Sequence, residues 1–119
     1  MENYGVTWEK YGSLCQYADE ALFNALVPMA ARLLERLTAQ RIVGMEETDW
    51  RFPYVQDAIF TLVERMAMER KTGQGSGLAG FNTDGYSESY RAASAEEVAI
   101  GRRSAVFAIL SGTGLMSAL

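Results

Sequence analysis

Apolar residues recur every three or four positions between residues 17 and 40, the spacing that places side chains on one face of a helix. The apolar stripe consists of Ala18, Leu22, Leu26, Met29, Leu33 and Leu37, widened by Phe23, Val27 and Ala30. Asp19 is suited to cap the start of this helix. Pro28 lacks the N–H that would bond to the carbonyl oxygen of Asn24, so we expect the helix to bend there.

The same spacing predicts two further helices. One runs from Pro53 to about Lys71, and its buried stripe consists of Val55, Ala58, Ile59, Leu62, Val63 and Met66. The other starts at Ser94, because Ser94 and Glu97 form a capping box, and stops near Gly112. Its apolar face consists of Val98, Ala105, Val106, Ile109 and Leu110, with the stem of Arg102.

The pattern therefore predicts an all-α chain, with three main helices in a small bundle and one domain over residues 1–119. A short helix is expected near residues 7–11. A long non-helical arm, roughly residues 72–93, joins the second and third main helices, and loops of this length are usually functional or disordered. Trp8 and Trp50 lie outside the long helices, and of two possible roles, anchoring loops onto the bundle or lying in a subunit interface, we expect anchoring for both.

The first half of the arm contains Gly75-x-Gly77-x-x-Gly80, the spacing of a dinucleotide-binding loop. Such a loop follows a strand and opens a helix, whereas this one follows a predicted helix and leads into a turn. We therefore expect no bound cofactor. A flexible glycine-rich linker is the other interpretation of this half.

The second half of the arm alternates in the manner of a strand, with Tyr86, Glu88 and Tyr90 on one face. Asp84 and Gly85 form a tight-turn pair before it. A lone strand has unpaired backbone groups, so it would pair with a neighbour or form a hairpin. Because tyrosines are enriched in protein interfaces, we predict a contact arm. Its residues are Phe81, Asp84, Gly85, Tyr86, Ser87, Glu88, Ser89, Tyr90 and Arg91.

The composition disfavours several kinds of function. The chain has no histidine, which excludes Ser-His and Cys-His catalysis and the usual zinc sites, so we expect no metal. Its net charge of −4 argues against strong nucleic-acid binding. A single cysteine cannot form an internal disulfide. The chain has no run of about 18 apolar residues, so we expect no membrane span.

The order of these features resembles the small head–tail connector, or neck adaptor, proteins of long-tailed bacteriophages. The resemblance covers nearly the whole chain, through the segments YGVTWEKYGS, DEALFNALVPMAARLLERLTAQRI, FPYVQDAIFTLVERMAMER, DGYSESYR and ILSGTGLMSAL. In the last segment, the family's Leu-x-x-Thr-Gly-Leu matches Leu110, Thr113, Gly114 and Leu115. The chain departs from the family at Pro28, at Glu88 and in the longer glycine-rich stretch 73–82.

The resemblance implies a structural virion protein that is made in the host cytoplasm and located in the neck. About twelve copies would form a ring between the portal protein and the tail or neck completion protein, completing the head and joining it to the tail. The arm would contact the portal or a neighbouring subunit. The tail-side or subunit contact would comprise Thr113, Gly114, Leu115 and Met116. DNA would pass through the lumen without specific binding, and no catalytic residue or cofactor is implied.

Two other classes of function stay open from the residues alone. An enzyme would need two carboxylates held together in a pocket, and the available ones are Asp49, Asp57, Glu64, Asp84 and Glu88. A helical protein-interaction or regulatory module is the second class. A DNA-binding helix-turn-helix needs a short turn, whereas the gap between the last two predicted helices is about twenty residues.

Overall fold

The computed structural model describes residues 2–72 and 95–116, and within these ranges every regular element is helical. The prediction of an all-α chain is confirmed for this part of the protein. The α-helices are α1 (Trp8–Tyr11), α2 (Glu20–Leu37), α3 (Phe52–Thr72) and α4 (Ala95–Leu110), with short 3₁₀ turns at Glu2–Gly5 and Gly12–Leu14. The predicted arm lies outside the described residues except for Thr72.

Helix α2 begins as its sequence predicts and ends earlier. The Asp19 carboxylate accepts the N–H of Leu22 at 2.9 Å, which confirms the predicted cap. The helix continues through Pro28 and ends at Leu37. The Thr38 hydroxyl donates to the carbonyl oxygen of Leu34 at 2.8 Å. The next two residues, 39 and 40, have positive φ angles of 54° and 67°, and this turns the chain out of the helix.

The buried face of α2 is centred differently from the prediction. Its buried residues are Phe23, Leu26, Val27, Ala30, Ala31 and Leu34. The predicted stripe placed Met29 in the core, whereas its side chain is 52% exposed. Leu22, Leu33 and Leu37 are only partly buried and flank the true core face. Phe23, Val27 and Ala30, which only widened the predicted stripe, therefore lie near the centre of the observed buried face.

Helix α3 is the central element, since both α2 and α4 pack extensively against it. All of the residues predicted for its buried stripe are buried. Helix α4 buries Val98, Val106 and Leu110 against this centre. Extensive packing between α2 and α4 is absent among the described residues, so the two helices cover different sides of α3.

The N-terminal turns and α1 are fastened to this core by aromatic contacts. Trp8 meets Phe23 edge-on with ring centroids 5.5 Å apart, and Tyr11 stacks on Phe60 at 4.9 Å. Trp8 packs so closely over Gly12 that a Cβ there would lie 2.6 Å from its ring. The expected anchoring by Trp8 is confirmed. The same expectation for Trp50 is wrong, because its side chain is 64% exposed.

Candidate contact surfaces

The residues of the predicted contact arm lie outside the part of the chain that the structure describes. They are Phe81, Asp84, Gly85, Tyr86, Ser87, Glu88, Ser89, Tyr90 and Arg91. Their contact with a portal or a neighbouring subunit stays a prediction. Thr72, where α3 ends, and Ala95, where α4 begins, mark the two ends of the segment that carries them.

The C-terminal segment folds back onto the helices through a tight turn. The Thr113 hydroxyl donates to the carbonyl oxygen of Leu110 at 2.6 Å and accepts the N–H of Leu115 at 3.2 Å. Gly112 and Gly114 have φ angles of 88° and 79°, a region that side chains rarely allow. Arg41, in the loop after α2, donates to the carbonyl oxygen of Leu115 at 2.9 Å.

This geometry changes what the C-terminal segment can offer a partner. The side chains of Leu115 and Met116 are buried in the chain's own core, and Thr113 is buried with them. Gly114 is exposed and has no side chain. The tail-side contact stays a prediction, but in this conformation the two apolar side chains expected to form it are turned inward.

A buried ion network joins α3 to α4, and the sequence pattern did not reveal it. The carboxylate of Glu69 is almost completely buried. Arg102 donates to Glu69 Oε1 through Nε at 2.9 Å and through Nη2 as well, while Arg65 Nε lies 3.8 Å from Oε2. A Cβ on Gly101 would overlap the Arg65 guanidinium, so glycine leaves room for this arrangement.

Two tyrosines connect the N-terminal segment to carboxylates on the long helices. Tyr4 donates to Glu35 Oε2 at 2.6 Å, and burial together with this bond raises the pKa of Tyr4 above its usual range. Tyr11 makes a long hydrogen bond of 3.4 Å to Asp57 Oδ1. Burial, followed by the charge of Asp57, raises the pKa of Tyr11 to about 12.

The Tyr11 environment has a measurable consequence at high pH. Because the fold favours the neutral phenol, its stabilising effect is complete below the unfolded pKa of about 10 and is lost as the pH rises through about 12. We expect Tyr11→Phe to remove an ionisation step near pH 12 from the absorbance titration at 295 nm. Denatured protein, in which Tyr11 titrates near 10, is the control. Loss of a step near 10 from the folded protein would contradict this assignment.

The carboxylates considered for an enzyme are used to hold turns and loops. Asp49 accepts the backbone N–H of Arg51 at 2.9 Å and also its guanidinium, and these bonds lower the pKa of Asp49 to about 2. Glu64 accepts the backbone N–H groups of Gln16 and Tyr17 at 2.6 and 3.3 Å. Asp57 accepts from the Tyr11 hydroxyl. The other two candidates, at positions 84 and 88, lie outside the described residues.

Neither a metal cluster nor a membrane span emerges from the parts of the chain that can be described. Within residues 2–72 and 95–116, no three cysteine or carboxylate side chains are grouped closely enough to hold a metal ion. None of the helices described has both the length and the apolar character needed to cross a membrane.

Several large apolar side chains lie on the outside of the described helices. Ile100 and Phe107 on α4 are 58% and 53% exposed. Trp50 precedes α3, and Tyr54 lies in the first turn of that helix. The two rings meet edge-on with centroids 6.1 Å apart, and both are exposed. Exposed aromatic and aliphatic side chains of this size are enriched in surfaces that bind another protein.

Comparisons of this chain with protein-family models, with curated proteins and with solved structures found no match.

Proposed function

We propose that this chain is a structural connector in the neck of a long-tailed bacteriophage. About twelve copies would close a ring between the portal and the tail, complete the head and join it to the tail. The observation that carries this proposal is the order of the connector-like segments along nearly the whole chain. No single segment is distinctive, but their shared order and spacing are hard to obtain by chance.

The arrangement of the helices supports a role in assembly. Ile100 and Phe107 are exposed on the side of α4 that faces away from α3, where they offer apolar surface to a partner. Adjacent copies in a ring would bury such side chains. The Trp50–Tyr54 pair offers a second apolar surface, which suits a protein that touches more than one neighbour.

In this proposal the chain is a single domain with three main helices, and residues 72–93 form the arm that contacts the portal or a neighbouring subunit. The segment that contains Thr113 and Gly114 faces a tail-side partner or the next subunit. DNA passes through the lumen of the ring without specific binding, in keeping with the net charge of −4. The protein acts in the virion, by position and contact rather than by catalysis.

A helical protein-interaction module outside the virion is the alternative. The exposed Trp50–Tyr54 pair supports it, because aromatic side chains of this kind often anchor a protein partner. The two functions differ in where the protein is found and in how many copies occur together.

The composition of assembled particles separates the two. Tail-bearing particles from the source culture would be purified and their proteins quantified by mass spectrometry with labelled peptide standards. We expect about twelve copies of this chain for each portal ring. A host ribosomal protein measured in the same sample gives the level of contamination. Particles that contain portal and tail proteins but hold this chain only at the contamination level would overturn the connector proposal.

A further inference from the structure

A groove of about 430 Å³ lies between the N-terminal turns and α2. Trp8, Val27 and Pro28 supply apolar surface to it. Three exposed carboxylates, those of Glu2, Glu9 and Glu20, also line it. The groove thus combines an apolar floor with a negatively charged rim, and we call it the acidic groove.

A surface of complementary character runs along α4. Its residues are spaced three, four and seven apart, all are exposed, and they are Ile100, Arg103, Ser104 and Phe107. We call this surface the α4 stripe. The α4 stripe lies on the side of the helix opposite the face that packs on α3. No other described helix packs against the stripe. Its central charge is positive, and Glu96 and Glu97 lie one turn earlier, near the start of the helix.

We propose that the α4 stripe of one copy of this chain docks in the acidic groove of the next copy. This inference rests on the proposed function, because it supplies the repeated contact of the ring. The apolar side chains Ile100 and Phe107 would cover the groove floor, and Arg103 would meet the carboxylates of the rim. The α4 stripe carries a positive charge between apolar side chains, and the acidic groove carries negative charges beside apolar side chains. The two surfaces are therefore complementary in charge and in polarity.

The positions of the two surfaces favour a head-to-tail contact. The acidic groove is built on α2 and the N-terminal turns, while the α4 stripe lies on a helix that covers a different side of α3. One copy can therefore use both surfaces at once, and such heterologous contacts form a ring when the rotation from copy to copy closes. A symmetric contact of the α4 stripe with itself would bring two Arg103 side chains together, and like charges oppose that pairing.

Single cysteines on the two surfaces test the contact directly. In a Cys15→Ala background, Asn24→Cys places a thiol at the groove, and Ser104→Cys places one on the stripe. A disulfide requires the two Cα atoms to approach within about 7 Å. We expect mixed oxidation of the two variants at high protein concentration to form a covalent dimer that neither variant forms alone. Thr48→Cys, exposed in the loop between α2 and α3, is the control in place of Asn24→Cys. It measures how fast Ser104→Cys forms a disulfide with an exposed thiol by random collision.

Charge reversal then tests the complementarity. Arg103→Glu in the Ser104→Cys protein is expected to slow the mixed disulfide about tenfold, because it sets a negative charge against the rim. Glu9→Lys in the Asn24→Cys partner is expected to restore most of the rate. A rate unchanged by either substitution would overturn the docking mode, and helix content measured by circular dichroism would show that the variants are folded.

Each remaining outcome also decides the matter. A mixed dimer no faster than the Thr48→Cys control overturns the proposed interface, and the connector function still stands if the particles hold about twelve copies. Rapid self-dimerisation of Ser104→Cys alone would instead show a symmetric α4 contact. A Ser104→Cys thiol protected from small alkylating reagents in the monomer would show that another part of the same chain covers the stripe. If the mixed dimer forms specifically but the chain is absent from particles, the contact between copies would be supported and the connector function would be overturned.

Discussion

Replacing Leu115 with alanine is expected to lower the free energy of unfolding by about 3 kcal/mol. Leu115 is fully buried. The turn centred on Thr113 and the hydrogen bond from Arg41 to the Leu115 carbonyl oxygen hold its side chain in the core. Alanine would leave a cavity there and loosen the C-terminal turn. Urea unfolding followed by circular dichroism measures the change. We expect the urea concentration at the midpoint to fall while the dependence of the free energy on urea stays the same.

The same substitution at Leu14 is the matched control. Its side chain is 60% exposed, so Leu14→Ala is expected to change stability by less than about 0.5 kcal/mol. Equal effects at the two positions would mean that the C-terminal segment is not packed in solution. That result would return Leu115 and Met116 to the surface, where the resemblance to the connector family places a contact.

Replacing Arg102 with methionine is expected to lower the free energy of unfolding by about 3 kcal/mol. The substitution keeps most of the aliphatic stem but removes both hydrogen bonds to Glu69 Oε1. The buried carboxylate would then have lost its closest cation, and Arg65 is too distant at 3.8 Å to replace it without moving. Chemical denaturation at neutral pH measures the loss.

Two further variants show whether the loss comes from the buried charge. Arg103→Met makes the same chemical change at the next, exposed position, and its effect on monomer stability is expected to stay below about 0.5 kcal/mol. The double variant Glu69→Met with Arg102→Met removes both charges and is expected to recover most of the lost stability. A double variant as unstable as Arg102→Met alone would mean that packing, and not the loss of the Arg102 bonds to the buried carboxylate, explains the effect.

Helix α3 was predictable because its environment is simple. It is the central helix, so its apolar stripe faces a core directly, and the spacing from Val55 to Met66 reports that face. Its start and end also agree with the pattern to within a residue. The cap of α2 at Asp19 was predictable for a similar reason, since a carboxylate before an apolar run satisfies the free N–H groups locally.

The predicted stripe of α2 was displaced because apolar residues continue past one edge of its core face. Met29 is exposed at that edge, whereas Phe23 and Ala30 lie in the core, and only the position of α3 determines where the buried face ends. The early end of α2 had no glycine to mark it. The helix ends because residues 39 and 40 adopt positive φ angles, and the Thr38 hydroxyl bonds back to the Leu34 carbonyl oxygen, two local features that periodicity does not detect.

The candidate surfaces depend on tertiary structure even more. Glu69 lies in a stretch of charged residues at the end of α3, where a solvent-facing position is the natural expectation, and only the packing of α4 makes it buried. The acidic groove joins residues 2, 9 and 20, which no spacing rule connects. Ile100 and Phe107 lay outside the predicted apolar face of α4, and their exposure agrees with that pattern, but their proposed pairing with the acidic groove depends on tertiary structure.

The link between Glu69 and Arg102 also decides how the two helices share a mechanical load. Residues 73–94 connect the end of α3 to the start of α4, so tension on that segment pulls on Thr72 and Ala95. Glu69 lies less than one turn before Thr72, and Arg102 lies about two turns after Ala95. Peeling α4 from α3 at this end would first expose Val98 and then break the ion pair between Arg102 and Glu69, so the two helices would resist the force together.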